Sequence, residues 1–156
     1  MKTEDVLSDF QMIGSRIAKL SVKNDLVSLT DEEPFKKQLE LSHSIGELSV
    51  EDQETLVCPL QLHVKVKIKN GKDACNFDII VEGCFSSKKS DEEKFRKMLE
   101  INGIAALYGV ARGIVSSVSS LTFAQGNIVL PMINVVQYSR LIKTETTKQK
   151  PNEDTK

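Results

Sequence analysis

Apolar and polar residues alternate along the first part of the chain, and apolar residues recur at helical spacing along the later part. The most regular alternation runs from Leu60 to Lys69 and ends at Asn70-Gly71, a pair that favours a tight turn. A second alternating run, from Ala74 to Ser86, follows directly. The pattern predicts an antiparallel β-hairpin with one apolar face and one polar face.

Two weaker alternations precede the hairpin and predict two more strands. The run from Phe35 to Leu48 has its apolar centre at Leu39 and Leu41. The polar stretch from Asn24 to Pro34 before it is long enough for a crossover rather than a tight hairpin. The first run, Met12 to Lys23, alternates weakly, with Arg16, Ala18, Leu20 and Val22 on one predicted face and Ile17, Lys19, Ser21 and Lys23 on the other.

Helical spacing begins after the hairpin. Ser90 and Glu93 form a Ser-x-x-Glu capping box, which predicts a helix start. Apolar residues then recur at helical spacing as far as Leu121, with a break or kink predicted at Asn102-Gly103. Small residues occupy most of the remaining helix surface, so close packing on both sides is expected; they are Ala105, Ala106, Gly109, Gly113, Ser116, Ser117, Ser119 and Ser120.

The end of the chain predicts a second helix and a tail. A short amphipathic segment from Ile133 to Lys143 favours a last helix, and the polar residues 144–156 favour a disordered tail. We therefore expect a single domain over residues 1–143. Its predicted fold class is α+β, with a four-stranded antiparallel sheet followed by a long helix and a short C-terminal helix.

Composition narrows the classes of function. The chain has 156 residues, with 21 Lys and Arg against 22 Asp and Glu, and a net charge of -1. This balance supplies no overall cationic field for nucleic-acid phosphates. Lys65, Lys67 and Lys69 form a basic stripe without interleaved aromatic residues, which favours a solvated face. We expect no nucleic-acid partner.

The expected location is the cytoplasm. The first ten residues contain acids where a secretory signal would carry its apolar stretch. The apolar stretch from Ile128 to Val136 is interrupted by Pro131 and Asn134, and it is much shorter than the roughly 20 residues that a membrane helix needs. Three cysteines cannot all pair within one chain, which fits a reducing compartment. We expect no membrane span.

Candidate catalytic residues are few. The sequence has two histidines, His43 and His63, and its cysteines Cys58, Cys75 and Cys84 lack zinc-like spacing. No phosphate-binding glycine loop is present in the sequence. We therefore expect no metal, no cofactor and no enzymatic activity. A small cytosolic hydrolase that uses Cys58 or His63 is the competing hypothesis, although a third catalytic partner is missing.

Residues 106–134 resemble the second half of the SecB protein-export chaperones. That family has an aromatic residue followed by Ala-Arg, a Ser-containing apolar helix, Thr-Phe-Pro-Gln, and a Pro-Val-Asn-Phe-like segment. The matching residues here are Tyr108, Ala111-Arg112, Ser116-Ser117, Thr122-Phe123-Ala124-Gln125 and Pro131-Met132-Ile133-Asn134. Two positions depart from the family pattern, because Ala124 replaces the usual Pro and Asn134 falls one place late.

The resemblance implies both a fold and an assembly. SecB subunits have four antiparallel strands, a long helix and a short one, which agrees with the order predicted from periodicity. Their subunits pair into dimers, and two dimers sandwich their long helices between their sheets to give a homotetramer. The interface residues implied for this chain are Phe77, Ile79, Val81, Ala106, Val110, Gly113 and Ser117.

The implied function is ATP-independent holding of unfolded polypeptides or preproteins in apolar grooves, which keeps them translocation-competent. The family's groove uses paired leucines on the second strand, together with the crossover loop and the last helix. Leu39 and Leu41 match those leucines, although a plain core role would suit them equally well. The implied client-binding residues are Phe35, Leu39, Leu41, Val136, Tyr138 and Leu141.

One departure concerns the translocase motor ATPase. SecB proteins present acidic residues to this partner on the outer face of the sheet, but the first-strand positions here are Lys19 and Lys23. Asp78, on the fourth predicted strand, is the one acid that matches. Delivery to the motor is therefore in question, and a SecB-like chaperone dedicated to the antitoxin of a toxin–antitoxin pair is the alternative.

Overall fold

A five-stranded antiparallel sheet forms the first half of the fold. The computed structural model describes residues 8–26, 29, 35–52, 54–88 and 91–148, with side chains as far as Ile142. The strands are β1 (Phe10–Asn24), β2 (Lys36–Ile45), β3 (Ser49–Glu51), β4 (Thr55–Asn70) and β5 (Asp73–Lys88). They are followed by α1 (Glu92–Met98), a π-helical turn (Leu99–Gly103), α2 (Ile104–Thr122) and α3 (Val135–Lys148). The predicted α+β class is confirmed.

The sheet order is β1-β5-β4-β2, with β3 pairing beside β2 on the first residues of β4. The first two strands therefore lie at opposite edges, so the chain crosses between them as predicted. Most of the predicted crossover falls outside the described residues. The predicted hairpin between β4 and β5 is confirmed, and Gly71 adopts the positive φ of 58° that its tight turn requires. The sequence did not indicate β3.

Two irregularities in β1 explain its weak alternation. The pairing of β1 with β5 shifts between Met12 and Gly14, and again between Ile17 and Lys19. The second shift exchanges the predicted faces of two residues. Arg16 lies opposite Glu82 on the outer face, whereas Ile17 lies opposite the buried Val81. A β-bulge inserts one unpaired residue and reverses the alternation, which periodicity alone cannot locate.

The core lies between the inner face of the central strands and the long helix. Alternate residues of β4 and β5 are buried because their side chains all point to one side of the sheet. From the helices, Phe95, Leu99, Leu107, Ala111 and Val115 pack on them. Gly103 permits a close approach, since a Cβ there would lie 2.9 Å from Leu60 Cδ2. Each large buried side chain contributes about 1.5–3 kcal/mol.

The helix ends differ slightly from the sequence prediction. Asp91 is the N-cap of α1, and its carboxylate accepts a hydrogen bond from the Lys94 backbone N–H. Ser90, the predicted cap, lies outside the described residues. The irregularity predicted at Asn102-Gly103 is the π-helical turn. Helix α3 continues to Lys148, five residues past the predicted domain end, and residues 149–156 lie outside the described part, where a disordered tail stays a prediction.

Candidate functional site

An open apolar groove lies between β2 and the extended segment that follows α2. Two hollows of about 280 Å³ each make up this groove, and they share Lys37, Ile68 and Ile128 in their walls. We call it the β2 groove. One hollow is otherwise lined by Gln38, Leu39, Val66, Val129, Leu130 and Pro131, and the other by Leu29, Phe35, Gly126 and Asn127. Most of the lining side chains are apolar. Their removal from water by contact with an apolar ligand is energetically favourable.

Exposed apolar side chains continue from the wall of this groove. Ile128 and Leu130 are buried, whereas Val129 is 64% exposed and Met132 is 79% exposed. In α3, Val136 and Leu141 are also exposed. Large apolar side chains left in water along one stretch of chain are typical of a surface that binds another molecule.

Two motif residues on α2 hold the groove wall in place. The Tyr108 hydroxyl donates a hydrogen bond to the carbonyl of Pro131 at 2.7 Å, and Arg112 Nε donates to the carbonyl of Leu130 at 3.0 Å. Arg112 Nη1 also lies 2.9 Å from Met132 Sδ. Burial raises the pKa of Tyr108, so its hydroxyl stays a donor at neutral pH. The aromatic and Ala-Arg motif therefore fixes the extended segment onto the helix.

Ser119 makes the third of these contacts. Its buried hydroxyl accepts a hydrogen bond from the Ile128 backbone N–H at 2.8 Å and donates to the Ser116 carbonyl. Asn127 Nδ2 in turn donates to Ser116 Oγ at 3.1 Å. Their small size predicts close helix packing, but the sequence pattern does not predict their role in positioning Ile128. Ser116 belongs to the family motif, whereas Ser119 lies outside it.

Replacing Ser119 by alanine is expected to lower the free energy of unfolding by about 1–3 kcal/mol, because the buried Ile128 N–H loses its acceptor. Ser120→Ala is the matched control, since Ser120 is exposed and its hydroxyl donates the same type of bond, to the Ser117 carbonyl. Its expected change is within about 0.5 kcal/mol. Chemical denaturation of both variants measures the difference, and equal effects would contradict the role of Ser119.

The structure brings some of the predicted client-binding residues together. Phe35 and Leu39 line the β2 groove, and Leu41 lies half-buried on the same face of β2. Tyr138 packs on β2 further along, with its hydroxyl 3.0 Å from His43 Nδ1. Burial is the main effect on His43 and lowers its pKa, so the ring favours its neutral form. Val136 and Leu141 belong to the exposed side of α3, opposite Val135, Tyr138, Ser139 and Ile142.

A chain with similar architecture is the Mycobacterium tuberculosis SecB-like chaperone, whose structure holds a ChAD peptide from an antitoxin. The two chains share 16% identity and superpose with a TM-score of 0.60, covering 80% of this chain and 90% of the other. The present chain has the SecB-like fold. A Streptococcus agalactiae protein of unknown function also matches, with 11% identity, a TM-score of 0.54, and coverage of 79% and 97%. No protein-family model and no curated protein matches the sequence significantly.

The predicted interface residues form two groups that differ in burial. Phe77, Ile79 and Val81 are at most 1% exposed, because the chain's own helices cover the inner face of β5. These three side chains are not available to a second copy, contrary to the sequence expectation. The others lie at a spacing of three or four residues on the outer side of α2, where they are half-buried or exposed; they are Ala106, Val110, Gly113 and Ser117.

Two acids on the outer face of the sheet, Asp78 and Glu82, are paired with bases. Asp78 accepts from Lys19 Nζ and lies close to His63 Nε2, both at 2.6 Å. The hydrogen bond from Lys19, followed by that from His63, lowers the pKa of Asp78. Glu82 is paired with Arg16 in the same way. Asp78, the predicted motor-ATPase contact, is thus neutralised within the chain rather than part of an acidic patch.

Cys58 and His63, the candidate residues of the competing hydrolase hypothesis, lie on opposite faces of the sheet. Cys58 is buried on the inner face of β4, whereas His63 lies on the outer face beside Asp78. Burial raises the pKa of the Cys58 thiol, which disfavours a nucleophilic thiolate. Among the described residues, no group of three or more His, Cys, Asp or Glu side chains is arranged to hold a metal ion.

Among the described residues, one helical stretch has the length and composition of a membrane span. It is the continuous run Glu92–Thr122, which includes α1 and α2. Core helices pass the same criteria, and the inner side of this run packs on β4 and β5. It is therefore weak evidence for a transmembrane helix.

Proposed function

We propose that this protein is an ATP-independent chaperone that holds unfolded polypeptides in the β2 groove. The observation that carries the proposal is an open, mostly apolar groove on a SecB-like fold. Covering apolar surface gains about 25 cal/mol per Å² and needs no fixed direction, so it suits clients without a common sequence. In its export form, the chaperone works in the cytoplasm and keeps preproteins translocation-competent.

The proposed assembly is a homotetramer, built as a dimer of dimers. Support comes from the outer side of α2, where a Cβ at Gly109 or Gly113 would meet nothing of the same chain within 4 Å. Glycine inside a helix costs about 1 kcal/mol relative to alanine, so these positions suit close approach by another subunit. Leu121, at the end of the same helix, is 85% exposed. A partner helix would remove this surface from water.

A chaperone dedicated to an antitoxin is an equally supported alternative. The M. tuberculosis protein of similar fold was solved with an antitoxin peptide. The pairing of Asp78 with Lys19 and His63 also removes the acidic surface that an export chaperone would offer to the motor ATPase. Export and antitoxin holding share the same groove and differ in the client and its destination.

The test is the mass of the purified protein by light scattering, alone and with an excess of a chemically unfolded apolar client, without nucleotide. We expect a tetramer whose mass rises by that of the bound client. The native form of the same client is the control and should leave the mass unchanged. A protein that ignores the unfolded client would contradict the holdase proposal.

A further inference from the structure

We propose that the β2 groove selects apolar client segments that carry an acidic residue, with Lys37 as the partner of the client carboxylate. This inference rests on the holdase function proposed above. It defines the class of client. Apolar contact alone would not distinguish clients by charge, and Lys37 adds that distinction.

Lys37 is the one charged residue among the described residues that line the groove. It lines both hollows, and the other described residues that line either one are apolar or uncharged polar residues. It forms no ion pair with another described residue. A lysine stem can lie along apolar surface while its ammonium group stays hydrated. Lys37 is therefore a cation with no ion-pair partner among the described residues, at the junction of a mostly apolar hollow and a second hollow of mixed polarity.

The other charged side chains at this end of β2 lie on the outer face of the sheet. Lys36 precedes it in β2 and pairs in register with Lys69, and Gln38 pairs with Lys67. The nearest acid along β2 is Glu40, which lies opposite Lys65 on the outer face of the sheet. These lysines and Glu40 lie on the outer face of the sheet, so Lys37 is the charged side chain that the described residues place on the groove side, where it favours a client carboxylate and opposes a client lysine.

The two hollows define the rest of the preferred segment. In an extended peptide, alternate side chains point to the same side. When the acid faces Lys37, the large apolar residues two positions before and after it can enter the two hollows. The favoured occupant is an unfolded segment with an aspartate or glutamate flanked by large apolar residues.

The experiment uses three labelled peptides of equal length with the same apolar residues and a central Asp, Asn or Lys. Fluorescence anisotropy measures their affinities for the full-length protein. We expect affinity to fall in the order Asp, Asn, Lys, with about a tenfold range, because exposed or partly exposed ion pairs are modest. Lys37→Met should remove the order while keeping the aliphatic stem, and Lys37→Glu should reverse it.

Lys36→Glu is the matched control, because it makes the same change of charge on the other face of the same strand. It should shift the order less than Lys37→Glu does. Equal binding of the three peptides, or an order that survives Lys37→Glu, would overturn the electrostatic preference while leaving the holdase intact. Failure of all three peptides to bind would instead remove the holdase itself.

The chain's own acids are a competing partner for Lys37. Asp31, Glu32 and Glu33 precede β2 in the sequence and lie outside the described residues. Their replacement by Asn, Gln and Gln tests this. A preference for the Asp peptide that emerges only in this variant would assign Lys37 to the chain's own acids and overturn the proposal, whereas a preference already present in the unaltered chain supports it.

Discussion

The double replacement Leu39→Asp with Leu41→Asp is expected to lower the affinity for an unfolded client about a hundredfold and to leave the oligomer mass unchanged. Leu39 lines the β2 groove, and Leu41 is the next residue on the same face of β2. Each leucine that a client covers is worth about 1.5 kcal/mol, and a loss of about 3 kcal/mol in total corresponds to that factor. Isothermal titration calorimetry with one client measures the change.

The control for this variant is Ser42→Asp with Ser44→Asp. It places the same two charges at the same spacing on the same strand, but on exposed positions outside the groove face. Client affinity should stay within about a factor of two. Because Leu39 and Leu41 also pack against the core, circular dichroism must show that the variant is folded. A folded variant with unchanged affinity would exclude these leucines from client binding.

Gly113→Glu is expected to break the proposed tetramer while the single chain stays folded. A Cβ at Gly113 would meet nothing of its own chain within 4 Å, and glutamate favours helix over glycine by roughly 0.5 kcal/mol or more. In a sandwich of helices, however, the same side chain would bury an unpaired carboxylate at a cost of several kcal/mol. Light scattering should therefore show a smaller species, with the helix signal retained.

Gln137→Glu adds the same negative charge at an exposed position of α3 and serves as the control. Its oligomer mass should match that of the unaltered chain. If Gly113→Glu also keeps that mass, the outer side of α2 does not lie in the interface. The proposed contact of Ala106, Val110 and Ser117 with a second copy would then be wrong as well.

The hairpin shows how far local pattern predicts this fold. The alternation from Leu60 to Lys69, with Gly71 free to take positive φ, locates β4, the turn and β5 without help from the rest of the chain. Strand β1 is the contrasting case. Its register shifts near Ile17 depend on pairing with β5, so the face of Arg16 could not be predicted from its neighbours in sequence.

The groove was predicted in part. Phe35 and Leu39 follow from the alternation of β2 and the family resemblance, and both line the groove. The opposite wall comes from the segment around Ile128, whose position depends on hydrogen bonds to Ser119 and Arg112 more than eight residues away. Such contacts have no local period. The family motif includes Arg112, but the spacing of the motif could not show that this residue holds the segment in place.

The sequence by itself determined the order and type of the elements, because side-chain alternation, capping and turn preference act over a few neighbouring residues. It also determined the SecB-like resemblance. Only the tertiary structure decided which faces of the strands and helices remain exposed for contact with another molecule. It buried Phe77, Ile79 and Val81 under the chain's own helix and paired Asp78 with Lys19 and His63. It also placed Lys37 between two hollows, where Lys37 forms no ion pair with another described residue. These outcomes depend on strand order and helix packing, which bring together residues far apart in the chain.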